Sequence, residues 1–249
     1  MNITPTHLLS LALPLTTLIG CTSAPMISSN QKPDSDVVVV VHGLGRSASS
    51  MQEMSDAFEN SGYQTCVLEY STFWTSIDTL FTETERQMSV CLETDKTVHF
   101  VGHSLGGLVI RYHLDNDRSL QKSNRLGRVV LIGTPNHGSD VADHYAQSFW
   151  SGWFGEVPSA LVSDDHGIAT QIGIPDYPFG VIAGTEKYTF TEHLFEKEND
   201  GLVSVDSTRL EGMDDYWEVS LPHHQLRYHP VVIEKVINYL KGGQFAGKN

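Results

Sequence analysis

The chain has 249 residues, of which 40% are hydrophobic and 18% are charged, and its formal net charge is −14 at pH 7. This length suits one large α/β domain with a substantial core and is short for two independent domains. The composition excludes a disordered chain. The acidic balance argues against a partner made of nucleic acid, which requires a basic face to neutralise phosphate.

The N-terminal region carries the pattern of an exported protein. Residues 8–20 form an apolar run, shorter than the about 20 residues that a membrane-spanning helix needs, and typical of a secretory signal peptide in residues 1–20. The run ends in Leu18-Ile19-Gly20-Cys21, which resembles the bacterial lipobox and predicts that Cys21 is lipidated. The region before it has no Lys or Arg, so a plain secretion signal is the alternative.

By resemblance to sorting in Gram-negative bacteria, Thr22 after the cysteine favours an outer-membrane lipoprotein. A secreted soluble protein is the other possibility. Residues 22–35 are rich in Ser, Pro and Asn and predict a flexible tether, which leaves residues 36–249 as the folded domain. We expect a monomer, held at the membrane only by its lipid.

Two further cysteines, Cys66 and Cys91, form an even pair in an oxidising compartment. They fall in a predicted strand and near the end of the helix that follows it. A disulfide between them and two buried thiols are both compatible with this pattern.

Strands alternate with helices along most of the chain. The run of five valines at 37–41 is typical of a strand buried on both faces of a parallel sheet. The pattern predicts a doubly wound, mostly parallel sheet. Residues 140–176 break the alternation and are interpreted as an inserted cap. Predicted strands cover 36–41, 63–70, 98–103, 128–133, 179–183 and 216–220; predicted helices cover 51–60, 77–93, 107–114 and 231–240.

The run Gly102-His-Ser104-Leu-Gly106 lies between the strand at 98–103 and the following helix. A sharp strand–turn–helix of this kind strains the central serine and exposes its Oγ. Ser104 is therefore the predicted nucleophile, and the amide of Leu105 at the helix start can stabilise an oxyanion. The run His42-Gly43-Leu44 follows an earlier strand, and the amide of Leu44 is the expected second donor.

A serine nucleophile needs a base that an acid orients, and in this fold the chain order is Ser, then Asp or Glu, then His. Asp200 and Asp206 lie downstream of the cap. Asp200 is preferred because it precedes a glycine in a turn, whereas Asp206 fits the start of the next loop. His223, His224 and His229 lie before the last helix. His229 precedes Pro230 and is expected to be a capping or surface residue, and the residues alone do not separate His223 from His224.

These motifs carry a resemblance that runs from about Val37 to the C-terminus. VVVVVHGLGR, FVGHSLGGLVIR, LIGTPNHGSDVAD and NDGLVSVDSTRLEGM resemble the lipase and esterase branch of the α/β-hydrolase superfamily, in particular small bacterial hydrolases or acyltransferases related to triacylglycerol lipases. The resemblance implies the α/β-hydrolase fold with a small cap, Asp200 as the acid, and His224 as the base with His223 as the alternative.

The expected function is hydrolysis of carboxylic esters of lipid or acyl type through Ser104, Asp200 and His224. An acyltransferase with the same triad and a non-catalytic binding lipoprotein are the alternatives. No spacing of His, Cys and Asp predicts a metal site, and no cofactor is expected. Phe149, Trp150, Trp153 and Phe154 in the cap either contact lipid or pack the cap onto the domain.

Overall fold

A computed structural model of the chain describes residues 23–28, 34–146 and 155–246. The expected signal peptide, Cys21 and the four cap aromatics between 149 and 154 lie outside these ranges. Within them, no helix combines the length and apolar character that crossing a bilayer requires.

One twisted sheet forms the centre of the fold. In the described chain it has seven strands in the order β1-β3-β2-β4-β5-β6-β7, and every neighbouring pair is parallel except β1 with β3. The strands are β1 (Met26–Ile27), β2 (Val37–Val41), β3 (Gln64–Val67), β4 (Val98–His103), β5 (Leu126–Ile132), β6 (Phe179–Gly184) and β7 (Asp215–Val219).

Helices cover both faces of this sheet. They are α1 (Gln52–Asn60), α2 (Ile77–Cys91), α3 (Leu105–Asn116), α4 (Ser119–Lys122), α5 (Asp140–Ala146), α6 (Glu156–Ser159), α7 (Ile168–Gln171), α8 (Val205–Thr208) and α9 (Pro230–Gly242). Side chains alternate across a strand, so Val39 and Val41 join the core under α2 and α3, whereas Val38 and Val40 join the core under α1 and α9. The predicted doubly wound α/β-hydrolase fold is confirmed.

The segment expected to be a tether contributes to the sheet. Met26 and Ile27 pair antiparallel with β3, and the amide of Ser28 donates to the carbonyl of Thr65 over 2.9 Å. Edge pairing satisfies backbone groups without needing an apolar pattern, which is why composition alone suggested a flexible segment here. Nearby, a disulfide joins Cys66 in β3 to Cys91 at the end of α2, so it ties the helix to the sheet.

The insertion between β5 and β6 holds the short helices α5, α6 and α7 in its described part. Asp143 of α5 accepts hydrogen bonds from the amide and the hydroxyl of Ser163, which joins the two halves of the insertion. Arg111 of α3 is almost fully buried and donates to the carbonyls of Ile172 and Gly173. The end of the insertion is thereby fastened to the central helix of the domain.

Candidate active site

Ser104 connects β4 to α3 in a strained backbone conformation, with φ 57° and ψ −127°. A non-glycine residue at positive φ costs free energy and persists only where its surroundings enforce it. Here the amide of Ser104 donates to the carbonyl of Ile132 over 2.8 Å, and the carbonyl of Ser104 accepts from Gly107 over 3.0 Å. These bonds hold the turn that carries the serine hydroxyl to the end of the sheet.

Two glycines make this turn sterically possible. A Cβ on Gly102 would lie 2.6 Å from the amide nitrogen of Gly107, and one on Gly106 would lie 2.2 Å from the carbonyl oxygen of Val41. Real Cβ contacts are not that short, so neither position accepts a side chain without movement of the backbone. The spacing of the Gly-x-Ser-x-Gly motif thus follows from close packing of β4, α3 and β2.

The loop after β2 lies against the serine. A Cβ on Gly43 would lie 2.8 Å from Cβ of Ser104, and Leu44 lines the same cavity as Ser104. Gly45 has a φ of 65°, and its amide donates to Oγ1 of Thr72 over 2.8 Å. Leu105 is the first residue of α3, where backbone N–H groups have no partner within the helix. Both expected oxyanion donors therefore flank Ser104.

Asp200 and His223 form a buried pair beside the serine. Nδ1 of His223 and Oδ2 of Asp200 are 2.6 Å apart. The other carboxylate oxygen, Oδ1, accepts from the amides of Leu202 and Val203 at 3.0 and 2.8 Å. The amide of His223 also donates to the carbonyl of Asp200 over 2.9 Å. With Nδ1 donating to the carboxylate, Nε2 of His223 is left as a proton acceptor.

The preference for His224 as the residue paired with the acid is wrong by one position. Nδ1 of His224 lies 2.6 Å from the hydroxyl of Tyr188, and that hydroxyl accepts the backbone N–H of His224 over 3.1 Å. Consecutive side chains in this turn point in different directions, so only His223 reaches Asp200. The alternative assignment to His223 is the one that the geometry supports.

His103, at the end of β4, is hydrogen-bonded to the turn that carries His223. Its Nε2 donates to the carbonyl of His223 over 3.0 Å, and its Nδ1 has no hydrogen-bond partner within the described structure. Burial, followed by electrostatic repulsion from His223, holds the pKa of His103 well below its usual value. His103 is thus a neutral imidazole that links the strand before Ser104 to the turn that carries His223.

Ser104 and His223 share the wall of a cavity of about 680 Å³. Most of its wall is apolar. The contributing apolar residues are Leu44, Pro135, Val141, Ala142, Ala146, Pro158, Leu161, Leu202 and Val203. Because α5 and α6 supply several of them, the insertion closes one side of the cavity. A long apolar group fits such a wall, and Ser104 and His223 are among the polar residues that line it.

The remaining predicted candidates lie elsewhere. Asp206 is exposed and forms an ion pair with Lys197 over 2.6 Å. His229 is the N-cap of α9, where its side chain accepts from the amide of Val231, as expected. Among the described residues, no group of three or more His, Cys, Asp or Glu could hold a metal ion.

Some residues of the site have no motif that could have revealed them. Tyr188 lies in a loop after β6 and reaches His224 over 36 positions of sequence. Gly133, with a φ of 55°, follows β5, and a Cβ there would lie 3.2 Å from Nδ1 of His223. The sequence gives one indication that Gly133 belongs to the site: like Gly43, it comes just after a buried strand.

Comparison of the sequence with family models gives one match. The model described as palmitoyl protein thioesterase matches residues 37–171, more than half of the chain. This range includes β2, the turn at Ser104 and most of the insertion. A search of curated protein sequences finds no match.

Solved structures with the same fold include hydrolases. The lipase BlEst2 of Bacillus licheniformis in its propeptide form has a TM-score of 0.65 and 19% identity, over 86% of this chain and 53% of that one. Phospholipase PlaB of Legionella pneumophila has a TM-score of 0.64 and 17% identity, over 83% and 59%. A putative thioesterase from Silicibacter sp. has a TM-score of 0.60 and 15% identity, over 85% and 78%. The chain spans about half the length of the propeptide-form lipase. Sequence identities as low as these three show a shared fold alone.

Proposed function

Because the chain belongs to the palmitoyl protein thioesterase family, and is therefore a hydrolytic enzyme of the α/β-hydrolase superfamily, we propose that it cleaves carboxylic esters or thioesters through Ser104. The observation that carries this proposal is the buried hydrogen bond between Asp200 and His223, because His223 lines the same cavity as Ser104.

In the proposed mechanism, Nε2 of His223 removes the proton from Oγ of Ser104 as Oγ attacks the carbonyl carbon of the substrate. Asp200 keeps the imidazole in the required tautomer and stabilises the imidazolium. The amides of Leu44 and Leu105 donate to the oxyanion. His223 then protonates the leaving alcohol or thiol, and a water molecule, activated by the same imidazole, hydrolyses the acyl-enzyme.

The proposed substrate carries a long apolar acyl chain. Most of the cavity wall is apolar, and much of it is formed by aliphatic side chains from the insertion and from the loop at Leu202 and Val203. Burial of each methylene group contributes about 0.8 kcal/mol, so a longer chain gains binding energy until the cavity is full. We expect kcat/KM to rise with acyl length and then to level off.

We also propose export and anchoring through Cys21. The disulfide between Cys66 and Cys91 supports an oxidising compartment. Metabolic labelling with a fatty acid tests the anchor: the full chain should incorporate the label and fractionate with membranes, and Cys21→Ala should do neither. Labelling of the variant at the wild-type level would exclude this cysteine as the attachment site.

The central experiment combines turnover with covalent labelling. A p-nitrophenyl ester series from acetate to palmitate, and a palmitoyl thioester, are assayed with the wild type, Ser104→Ala and the control Ser89→Ala on the exposed side of α2. Turnover and fluorophosphonate labelling should vanish only in Ser104→Ala. Labelling that persists in Ser104→Ala would assign the nucleophile to another residue, and transfer to added alcohols in preference to water would indicate an acyltransferase.

A further inference from the structure

Two arginines lie beside the catalytic cavity. Arg46 follows the loop of Leu44 and lines the cavity together with Ser104 and His224. Arg227 is half-buried behind that wall, where it donates to the carbonyl of His224 and lies over the ring of Tyr228 at 4.9 Å. Neither arginine belongs to the residues that carry the proposed hydrolysis.

The two positive charges lack a matching carboxylate. Neither guanidinium forms an ion pair with any carboxylate in the described parts of the chain. Burial, and then the charge of Arg46, lower the pKa of Arg227, and the weaker influence of Glu53 opposes them. Nε of Arg227 is also buried without a hydrogen-bond partner. Arg227 is half-buried, whereas Arg46 is exposed. A half-buried positive charge that lies near a second positive charge and has no carboxylate partner costs free energy.

His224 adds a neutral hydrogen-bond donor to this wall. The hydroxyl of Tyr188 accepts the backbone N–H of His224, so its own proton is available for Nδ1 at 2.6 Å. In the neutral ring the proton then resides on Nε2. Burial, then the charges of Arg227 and Arg46, lower the pKa of His224 and favour this neutral form, against a weaker effect of Glu186.

We propose that Arg46 and His224, with Arg227 behind them, form a subsite for a phosphate group on the leaving group of the substrate. Guanidinium groups and N–H donors suit an anion with several oxygens. The aliphatic wall takes the acyl chain, and a charged group bound there would be desolvated without a partner. The anion therefore belongs to the alcohol or thiol side. This inference rests on the proposed hydrolase function and narrows its substrate to phosphate-bearing esters or thioesters.

The experiment measures binding, so that it does not depend on turnover. Ser104→Ala is titrated with an ether-linked alkylglycerol phosphate and with the same alkylglycerol lacking the phosphate. The phosphate compound should bind roughly tenfold more tightly, as expected for one charge-assisted contact in a partly exposed site. Raising the ionic strength should reduce this ratio, because salt screens exposed charges.

Matched variants in the same Ser104→Ala background locate the subsite. Arg46→Gln should bring the affinity ratio close to one, and Arg227→Gln should lower it by a smaller factor. The control Arg86→Gln, on α2 and paired with Glu83, should keep the full ratio. Unfolding midpoints of all variants identify any loss that comes from misfolding. Equal binding of the two ethers, or a ratio that Arg46→Gln leaves unchanged, would overturn the subsite.

Competition distinguishes the sources of the phosphate. Displacement of the ether phosphate by glycerol phosphate supports a lysophospholipid-like substrate, and stronger displacement by coenzyme A supports an acyl thioester of that carrier. Displacement by neither, even at high concentration, counts against the subsite. If the wild type hydrolyses no ester while the affinity ratio depends on Arg46, the hydrolase proposal fails and the anion site stands.

Discussion

Nδ1 of His223 donates to Oδ2 of Asp200 over 2.6 Å, within a turn whose next residue, His224, is bound instead by Tyr188. Two backbone amides fix the carboxylate, and a backbone bond from His223 to the carbonyl of Asp200 fixes the turn. Neighbouring imidazoles are thus held in different environments, which makes their roles separable by experiment.

The first prediction concerns these two imidazoles. His223→Gln should lower kcat/KM for a neutral ester by about 10³-fold or more, because it removes the proposed general base. His224→Gln should lower it by less than about tenfold, because this ring contacts Tyr188 and not the acid. Steady-state kinetics on one p-nitrophenyl ester decides the comparison. Equal losses in both variants would contradict the assignment of the base to His223.

A second prediction concerns Asp200. In Asp200→Asn, the side-chain oxygen can still accept from the amides of Leu202 and Val203, so the loop should keep its fold. The side-chain NH₂ group would face Nδ1 of His223 and impose the wrong tautomer, so we expect kcat to fall by about 10³-fold to 10⁴-fold with little change in KM.

Asp206→Asn is the matched control for this acid. Asp206 is exposed and pairs with Lys197, so its replacement should leave kcat near the wild-type value. If Asp200→Asn retains most of its activity while Asp206→Asn loses it, the carboxylate has been assigned to the wrong position.

Much of the fold is predictable from the sequence because its signals are local. The strand at Val98–His103 has the same bounds in prediction and structure, because the run that begins at Val98 leads directly into the Gly-x-Ser-x-Gly turn, and that turn ends the strand. The short strand at Met26–Ile27 was missed because only its pairing with β3 defines it.

The site is predictable only in part, because only some of its residues lie in local sequence motifs. Ser104 and Asp200 lie in turns whose glycines constrain the backbone, and such turns are visible in sequence. The choice between His223 and His224 depends on the direction of two side chains in one turn, and no residue pattern encodes it. Tyr188 reaches the site through a tertiary contact with His224, 36 positions along the chain, which a single sequence does not reveal.

A third prediction concerns the disulfide. It closes a loop with a sequence separation of 25 between β3 and α2. Replacing Cys66 and Cys91 together by alanine should lower the free energy of unfolding by about 3 kcal/mol, because the unfolded chain gains entropy. Urea unfolding with and without a reductant measures this. Reductant should destabilise the wild type and leave the double variant unchanged; the same response in both would contradict a structural disulfide.

A fourth prediction concerns pH and His103. Its folded-state pKa lies well below the usual value because the ring is buried, whereas the unfolded chain takes up a proton near pH 6.5. The unfolded state therefore binds more protons below about pH 6.5, so stability is full above that pH and falls as the pH drops, by up to about 1.4 kcal/mol per pH unit for this one group.

Urea unfolding between about pH 5 and about pH 8 tests this dependence. In His103→Gln the side-chain amide can still donate to the carbonyl of His223. The free energy of unfolding should then fall less steeply as the pH drops, by the contribution of one histidine. His42, whose pKa is also lowered by burial, contributes in both proteins. Parallel curves for the wild type and the variant would show that His103 takes no part in the acid response.

The positive φ of Ser104 lowers the stability of the fold, yet the proposed reaction requires a serine hydroxyl at this position. Glycine adopts this conformation without the strain of a side chain, so Ser104→Gly is expected to be more stable than Ser104→Ala by about 1 kcal/mol, and both lack the hydroxyl. Selection for thermal stability alone would discard the serine. Engineering of a more robust enzyme therefore has to gain its stability elsewhere and leave this turn untouched.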